Sequence, residues 1–221
     1  MLVLERVVKT YPKGNRRITA LAPIDLTVRA GEFVAVEGPS GSGKTTCLLI
    51  AGGLLDPDSG RALVDGHVLD AMSRNQLAAF RSQNIGFVFQ QYHLIPYLSV
   101  LENILAPEAA RGRSNNQARG RALAEQFGLD HRLDHTPAEL SSGEKQRTAL
   151  ARALLFQPKI LLADEITGNL DHVNAQIVLG YLREYVKKGG SVLLVTHDRE
   201  IARQADRVEY LPDPRELEAP R

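Results

Sequence analysis

Residues 38–45 read GPSGSGKT, a full match to G-x-x-x-x-G-K-[S/T]. The apolar run Phe33–Val36 precedes the loop, and TTCLLIAGGLL, which reads as a helix, follows it. Strand, loop and helix are the context that this phosphate-cradling motif requires. Gly38, Gly41 and Gly43 permit positive φ and close backbone approach, so successive N–H groups can surround a β-phosphate, with Pro39, Ser40 and Ser42 in the same cradle. Lys44 offers a point charge between β- and γ-phosphates, Thr45 a hydroxyl for Mg²⁺, and Thr46 continues the site. An incidental glycine-rich turn is the competing reading, and the agreement of three neighbouring elements argues against it.

The loop fixes how the other apolar runs are read. Ile85–Phe89, Ile160–Ala163 and Val192–Val195 are short and rich in Val, Ile and Leu, as buried strands of a largely parallel sheet are. Each leads to a polar residue: Gln90 after IGFVF, Asp164 within ILLADE and His197 within SVLLVTHD. Ligands in open α/β sheets sit at the carboxyl ends of strands, so these residues should converge on the phosphates. Asp164 is placed to support Mg²⁺, and Glu165 to polarise water as a general base.

The rest of the chain departs from this pattern twice. Leu2–Tyr11 and Ile24–Val28 alternate apolar and polar residues like half-exposed antiparallel strands, and Ala62–Leu69 reads as a hairpin around Asp65-Gly66. From about Leu98 to Phe156 the pattern is helical, as in ENILAPEAARG and ARGRALAEQFG. The expected organisation is one α/β domain: residues 1–97 and 157–221 form a P-loop core with an antiparallel β subdomain, and 98–156 an inserted helical subdomain. Within the insertion, LSSGEKQR places Ser141 and Ser142 before a helix, where they can accept from its first N–H groups, while Gly143 leaves the backbone uncovered. This is a second anion-binding helix start. The end, PDPRELEAPR, reads as a frayed tail.

Bulk composition narrows the partners. Lys plus Arg number 27 against 26 Asp plus Glu among 221 residues, a net charge of +1, which argues against nucleic acid held by a basic face. The single cysteine excludes an internal disulfide and suits a reducing compartment. The longest apolar stretch, Cys47–Leu55, is far shorter than the ~20 residues of a membrane span, so a cytoplasmic location is expected.

In order along nearly the whole chain, these stretches resemble the nucleotide-binding subunit of ABC transporters. The resemblance implies that Tyr11 stacks on adenine, that Gln90 links the γ-phosphate and its Mg²⁺ to a membrane subunit, that LSSGE (Ser141, Ser142, Gly143, Glu144) is the signature, that GNLD to Asp171 crosses a dimer, and that His197 is the switch histidine. It further implies two ATP molecules held between two copies of the chain, each signature capping the partner's γ-phosphate. Such a subunit lies on the cytoplasmic face of the membrane beside a separate transmembrane permease. IGFVFQQYHLIPYLSVLENI, LADEITGNLD and THD look most like the macrolide-exporter and lipoprotein-release branch of MacB-, LolD- and FtsE-like ATPases. The alternative within that branch is a regulatory ATPase that gates a membrane partner without transport.

The sequence departs from the family at Ser142 and Glu144, where Gly and Gln are usual, and at Ile166, where Pro is common. Glu144 should add negative charge near a phosphate, and Ile166 should relax the backbone after Glu165. Cys47 reads as a small core residue, with a reactive thiol beside the nucleotide as its alternative. Arg111, Arg113, Arg119 and Arg121 read as a solvated loop or as a contact for anionic lipid. YHLIPYL (92–98) reads as part of a dock for a membrane subunit's helix.

Overall fold

A computed structural model describes residues 1–14, 16–111 and 115–217. The chain opens with β1 (Leu2–Lys13), β2 (Arg16–Val28) and β3 (Phe33–Glu37), followed by α1 (Lys44–Ala51). The short strands β4 (Ser59–Val64) and β5 (His67–Val68), then α2 (Arg74–Asn84), lead to β6 (Ile85–Val88). Next come α3 (Val100–Leu105), α4 (Gln117–Gln126) and α5 (Ser142–Leu154), with no strand among their described residues. Strand β7 (Ile160–Asp164), α6 (His172–Lys187), β8 (Ser191–Thr196), α7 (Arg199–Ala202), β9 (Arg207–Tyr210) and α8 (Pro214–Leu217) complete the order.

The four apolar runs lie in one parallel sheet of order β6-β7-β8-β3-β9. They are continuously apolar because both faces are covered. Phe33, Leu161, Val192 and Leu194 pack on the side of α5 and α6, whereas Val34, Leu162, Leu193 and Val195 meet α1 and the second sheet. That second sheet, β2-β1-β4-β5, is antiparallel, and its β4–β5 turn has positive φ at both Asp65 (53°) and Gly66 (78°), the form that matches strand twist.

Several boundaries differ from the sequence expectation. Strand β2 begins at Arg16, well before Ile24, and pairs with β1 out to Lys13. Register shifts at Leu4/Val7, Val7/Lys9 and Lys9/Thr10 break the alternation that would have revealed it. Helix α1 stops at Ala51, before Gly52 and Gly53, rather than continuing through Leu55. The tail is ordered further than expected, since Pro214–Leu217 form a helical turn and the Asp213 carboxylate accepts from the Arg215 backbone N–H at 2.9 Å.

Two of the four arginines of 111–121 have structural partners in the fold, and Arg121 is exposed. Arg119 donates to the carbonyls of Leu154 (3.2 Å) and Leu155 (2.5 Å), closing the C-terminus of α5. Arg111 stacks 3.8 Å from the Phe156 ring centre and donates to the Ser82 carbonyl. Arg113 lies outside the described residues.

Candidate functional site

Parallel order brings the ends of β7, β8 and β3 side by side, and the polar residues predicted at those ends meet there. Gly41 (φ 87°) and Gly43 (φ 93°) turn the chain from β3 into α1. At Gly43 a side chain would also drive into the Ala20 carbonyl, so no other residue fits. Helix α1 starts with no side-chain cap and no acid in its first turn. Its leading N–H groups therefore face outward for an anion.

Lys44 is 7% exposed and folds back over the loop, donating to the carbonyls of Gly38 (2.8 Å) and Pro39 (3.0 Å). Its ammonium lies 4.0 Å from Glu165 Oε1. The Thr45 hydroxyl donates to the Asp164 carboxylate at 3.0 Å. Burial pushes the Asp164 carboxyl above its ordinary range; the Thr45 hydroxyl works against that, the Glu165 charge adds to it, and the Lys44 charge opposes it. Glu165 Oε1 is also 3.0 Å from His197 Nδ1. The Glu165 backbone has a φ of 46° while its N–H donates to the Val195 carbonyl at 2.9 Å. A non-glycine residue in that region carries strain of roughly 1–3 kcal/mol, here at a carboxylate that ends β7. Ile166 beside it is 1% exposed and belongs to the core.

Two predicted residues sit apart from this cluster. Gln90 packs against Gly168, where a side chain would meet its Nε2 at 3.1 Å, and its carbonyl accepts from Asn169 at 3.3 Å. Among the described residues its amide bonds neither Thr45 nor Asp164. Tyr11 lies in β1 opposite Ile18, 43% exposed, with the Lys9 ammonium 5.8 Å from its ring centre. Cys47 is fully buried in the core, and burial pushes its thiol up to about 12, which removes the reactive-thiol alternative.

The second helix start is built differently. Ser141 caps α5 by accepting from the Glu144 N–H at 3.3 Å, and the Glu144 carboxylate accepts from the Ser141 N–H at 2.8 Å. Ser142 is the first helical residue and stays exposed. Gly143 is not uncovered: it is buried under Asn174, whose Cγ would lie 2.7 Å from a side chain placed there. Asn174 in turn holds both oxygens of Asp171, through its backbone N–H (2.8 Å) and its amide (2.7 Å). Arg147 donates to Asn174 Oδ1 at 3.3 Å.

Nor does Glu144 stand open toward an approaching anion. Arg132 Nε donates to its Oε1 at 2.9 Å. Burial raises the Glu144 carboxyl, but the Ser141 backbone and hydroxyl together with the Arg132 guanidinium outweigh burial and hold it down to about 2. Arg132 and Asn174 were not singled out from sequence. Asn174 could have been found from its place three residues after the helix-capping Asp171. Arg132 carries no such local signal.

The segment 92–98 is fastened by Arg152, which donates to the carbonyls of Tyr92 (2.7 Å) and His93 (2.6 Å), and by Asn103, whose amide brackets Ile95. It borders a cleft of about 390 Å³ lined by Tyr92, His93, Leu94, Pro137, Lys145 and Asn169, with Gln91. A larger cavity of about 640 Å³ opens near Lys159 and Gly190, just ahead of β7 and β8 and so at the strand ends opposite the phosphate loop.

With this geometry in view, similarities to known proteins gain meaning. The family model for "ABC transporter" matches residues 21–168. The chain is 43% identical over 216 residues to the lipoprotein-releasing system ATP-binding protein LolD of Shewanella denitrificans, covering 96% of this chain and 93% of that protein. It is 44% identical over 215 residues to the macrolide export ATP-binding/permease protein MacB of Escherichia coli, covering 96% of this chain but 33% of that protein. Among solved structures, the dimeric post-hydrolysis cassette MJ0796 bound to ADP and Pi superposes with a TM-score of 0.90 at 38% identity, covering 97% of this chain and 95% of that one. The chain belongs to the ABC transporter family and is an ATP-binding, ATP-hydrolysing cassette.

Proposed function

We propose that two copies of this chain pair head to tail around two ATP molecules and drive a separate membrane permease, in the manner of the lipoprotein-release and macrolide-export branch. The observation that carries this reading is the meeting of Lys44, Thr45, Asp164, Glu165 and His197 at adjoining strand ends. On binding, Lys44 exchanges the Gly38 and Pro39 carbonyls for β- and γ-phosphate oxygens, and the first N–H groups of α1 take the β-phosphate.

The donor set fits Mg²⁺: a hydroxyl and a partly desolvated carboxylate, both hard oxygens, lie in hydrogen-bond contact with Lys44 alongside. Thr45 and Asp164 would hold the ion, with Gln90 completing the shell. When bound, Mg²⁺ supplies charge neutralisation on the β- and γ-oxygens. Glu165 orients the attacking water and accepts its proton, while His197 fixes the Glu165 carboxylate and faces the γ-phosphate. Tyr11 stacks on adenine.

The signature turn Ser141–Glu144 and the Asp171 loop act on the partner's ATP, so neither half completes a site alone. The dimeric cassette MJ0796 and the exposed Ser141 and Ser142 at the second helix start support this arrangement. Residues 98–156 then move as a lobe against the core formed by 1–97 and 157–221. The cleft beside 92–98 receives a cytoplasmic helix of the permease. Among the described residues no helix is long and apolar enough to cross a membrane, which fits a peripheral place on the cytoplasmic face.

The test is the solution mass of Glu165→Gln with and without Mg-ATP, beside the same protein carrying Ser141→Arg. ATP-dependent dimers lost on adding the arginine are the expected result. Glu165→Gln that binds ATP yet stays monomeric, alone and with its membrane partner, would overturn the paired arrangement.

A further inference from the structure

Glu144 sets a problem for any reading in which the start of α5 caps a phosphate. Its carboxylate is a full negative charge in the same turn as Ser141 and Gly143. An anion arriving there would meet repulsion that offsets the favourable helix dipole. Yet the side chain is only 11% exposed. One oxygen is tied to the Ser141 N–H at 2.8 Å, so the carboxylate cannot swing away without opening the capping box.

The other oxygen is met by Arg132 Nε at 2.9 Å. Arg132 comes from the short turn Asp130–Arg132, between α4 and α5, and not from the helix it serves. Its Nη1 lies 3.1 Å from His135 Nε2, and its carbonyl accepts from the His135 N–H at 2.9 Å, so the guanidinium is anchored on the side away from Glu144 as well. His131 Nε2 is 3.9 Å from the same Glu144 oxygen. The guanidinium is one-third exposed, in contrast to the enclosed carboxylate, so it can shape the potential at the helix start.

We propose that Arg132 is a positioning residue for ATP capture: it neutralises Glu144 and thereby lets the start of α5 accept the γ-phosphate held by a second copy of the chain. The proposal rests on the paired-cassette reading above. Arg132 touches no reacting atom. It acts through Glu144, and its need exists only because position 144 carries an acid. With glutamine at 144 the capping box persists, because its side-chain oxygen serves the Ser141 N–H equally, and no charge is left to cancel.

The dependence of one residue on another provides the test. In the Glu165→Gln background, ATP-driven dimerisation is followed by light scattering during Mg-ATP titration, with melting temperatures recorded for every variant. Arg132→Met should raise the ATP concentration for half-dimerisation by about ten-fold or more, the effect of one uncompensated charge near a phosphate. Adding Glu144→Gln to Arg132→Met should return it to within about two-fold of the parent. A loss that Glu144→Gln does not recover would show that Arg132 merely holds the 130–135 turn to α5, and would overturn the proposal. So would unchanged dimerisation in Arg132→Met. If the Glu165→Gln parent never dimerises at saturating Mg-ATP, alone and with its membrane partner, the paired-cassette reading falls and takes this inference with it.

Discussion

The chain contains two helix starts suited to phosphate, and they are built on opposite plans. Helix α1 begins after Gly43 with no capping side chain and no acid in its first turn. Helix α5 begins with a reciprocal Ser141–Glu144 box and an acid neutralised from outside. The first leaves its orphan N–H groups open and holds a lysine ready beside them, so it can bind an anion unaided. The second has part of its demand met internally, with the Arg132 guanidinium beside it engaged by Glu144. It suits a phosphate whose charge is already handled elsewhere, as the partner's nucleotide would be by the partner's own lysine and metal. In the paired arrangement proposed above, one start would bind and the other would recognise what has been bound.

Breaking the two starts separately gives the largest contrast. Lys44→Ala should cut hydrolysis by about a thousand-fold and abolish nucleotide binding by the isolated chain. Ser141→Arg should cut hydrolysis comparably yet leave nucleotide affinity of the isolated chain within about two-fold, as fluorescent-nucleotide titration would reveal. Loss of that affinity in Ser141→Arg would dissolve the contrast.

Asp164→Asn sharpens the first start. Because burial raises the Asp164 carboxyl, its ionised form weakens the folded state at neutral pH, and any stability it lends exists only at low pH and fades as pH rises. Asparagine should thus raise the nucleotide-free melting temperature by roughly 1–3 °C while lowering turnover by about a hundred-fold. An unchanged or lower melting temperature would remove the claim that the site is built at a cost in stability.

Backbone demands differ as well. Gly43→Ala must adopt a φ of 93° and face the Ala20 carbonyl, so a loss of roughly 2–4 kcal/mol in denaturant unfolding is expected. Gly143→Ala meets a movable asparagine amide at ordinary φ and should lose about 1 kcal/mol. Equal losses would erase this distinction.

The smallest effect concerns acid. Glu144 is held down to about 2 from an ordinary 4.5, so its contribution to stability is present above 4.5 and lost as pH falls toward 2. Glu144→Gln should flatten that acid limb in a melting-temperature profile; identical limbs would deny the carboxylate its structural role.

Most of the first start was legible in sequence, and less of the second. GPSGSGKT carries its own geometry, because glycine spacing, lysine and hydroxyl act within one turn and the flanking strand and helix are contiguous. Asp164, Glu165 and His197 could be placed because doubly covered parallel strands read as unbroken apolar runs with visible ends. The surroundings of Glu144 and Gly143 could not. Arg132 and Asn174 reach them from other elements, and no periodicity records contacts made across a turn or between α5 and α6. The early start of β2 was hidden for a related reason, since bulges in β1 shift the period on which alternation depends. Arg119 shows the same limit: its charge is legible, but its task of closing α5 depends on where that helix ends.

The order of strands has a consequence for how the protein is made. Among the described residues, strand β3, which carries the phosphate loop, has its ladder partners in β8 and β9, both supplied by residues 191–210. During synthesis it therefore emerges early and waits without a ladder partner until residues 191–210 have left the ribosome. Long-range pairing of this kind slows folding and leaves an apolar strand unpaired meanwhile. A nascent chain that ends before Ser191 therefore lacks both ladder partners of the strand that carries the phosphate loop.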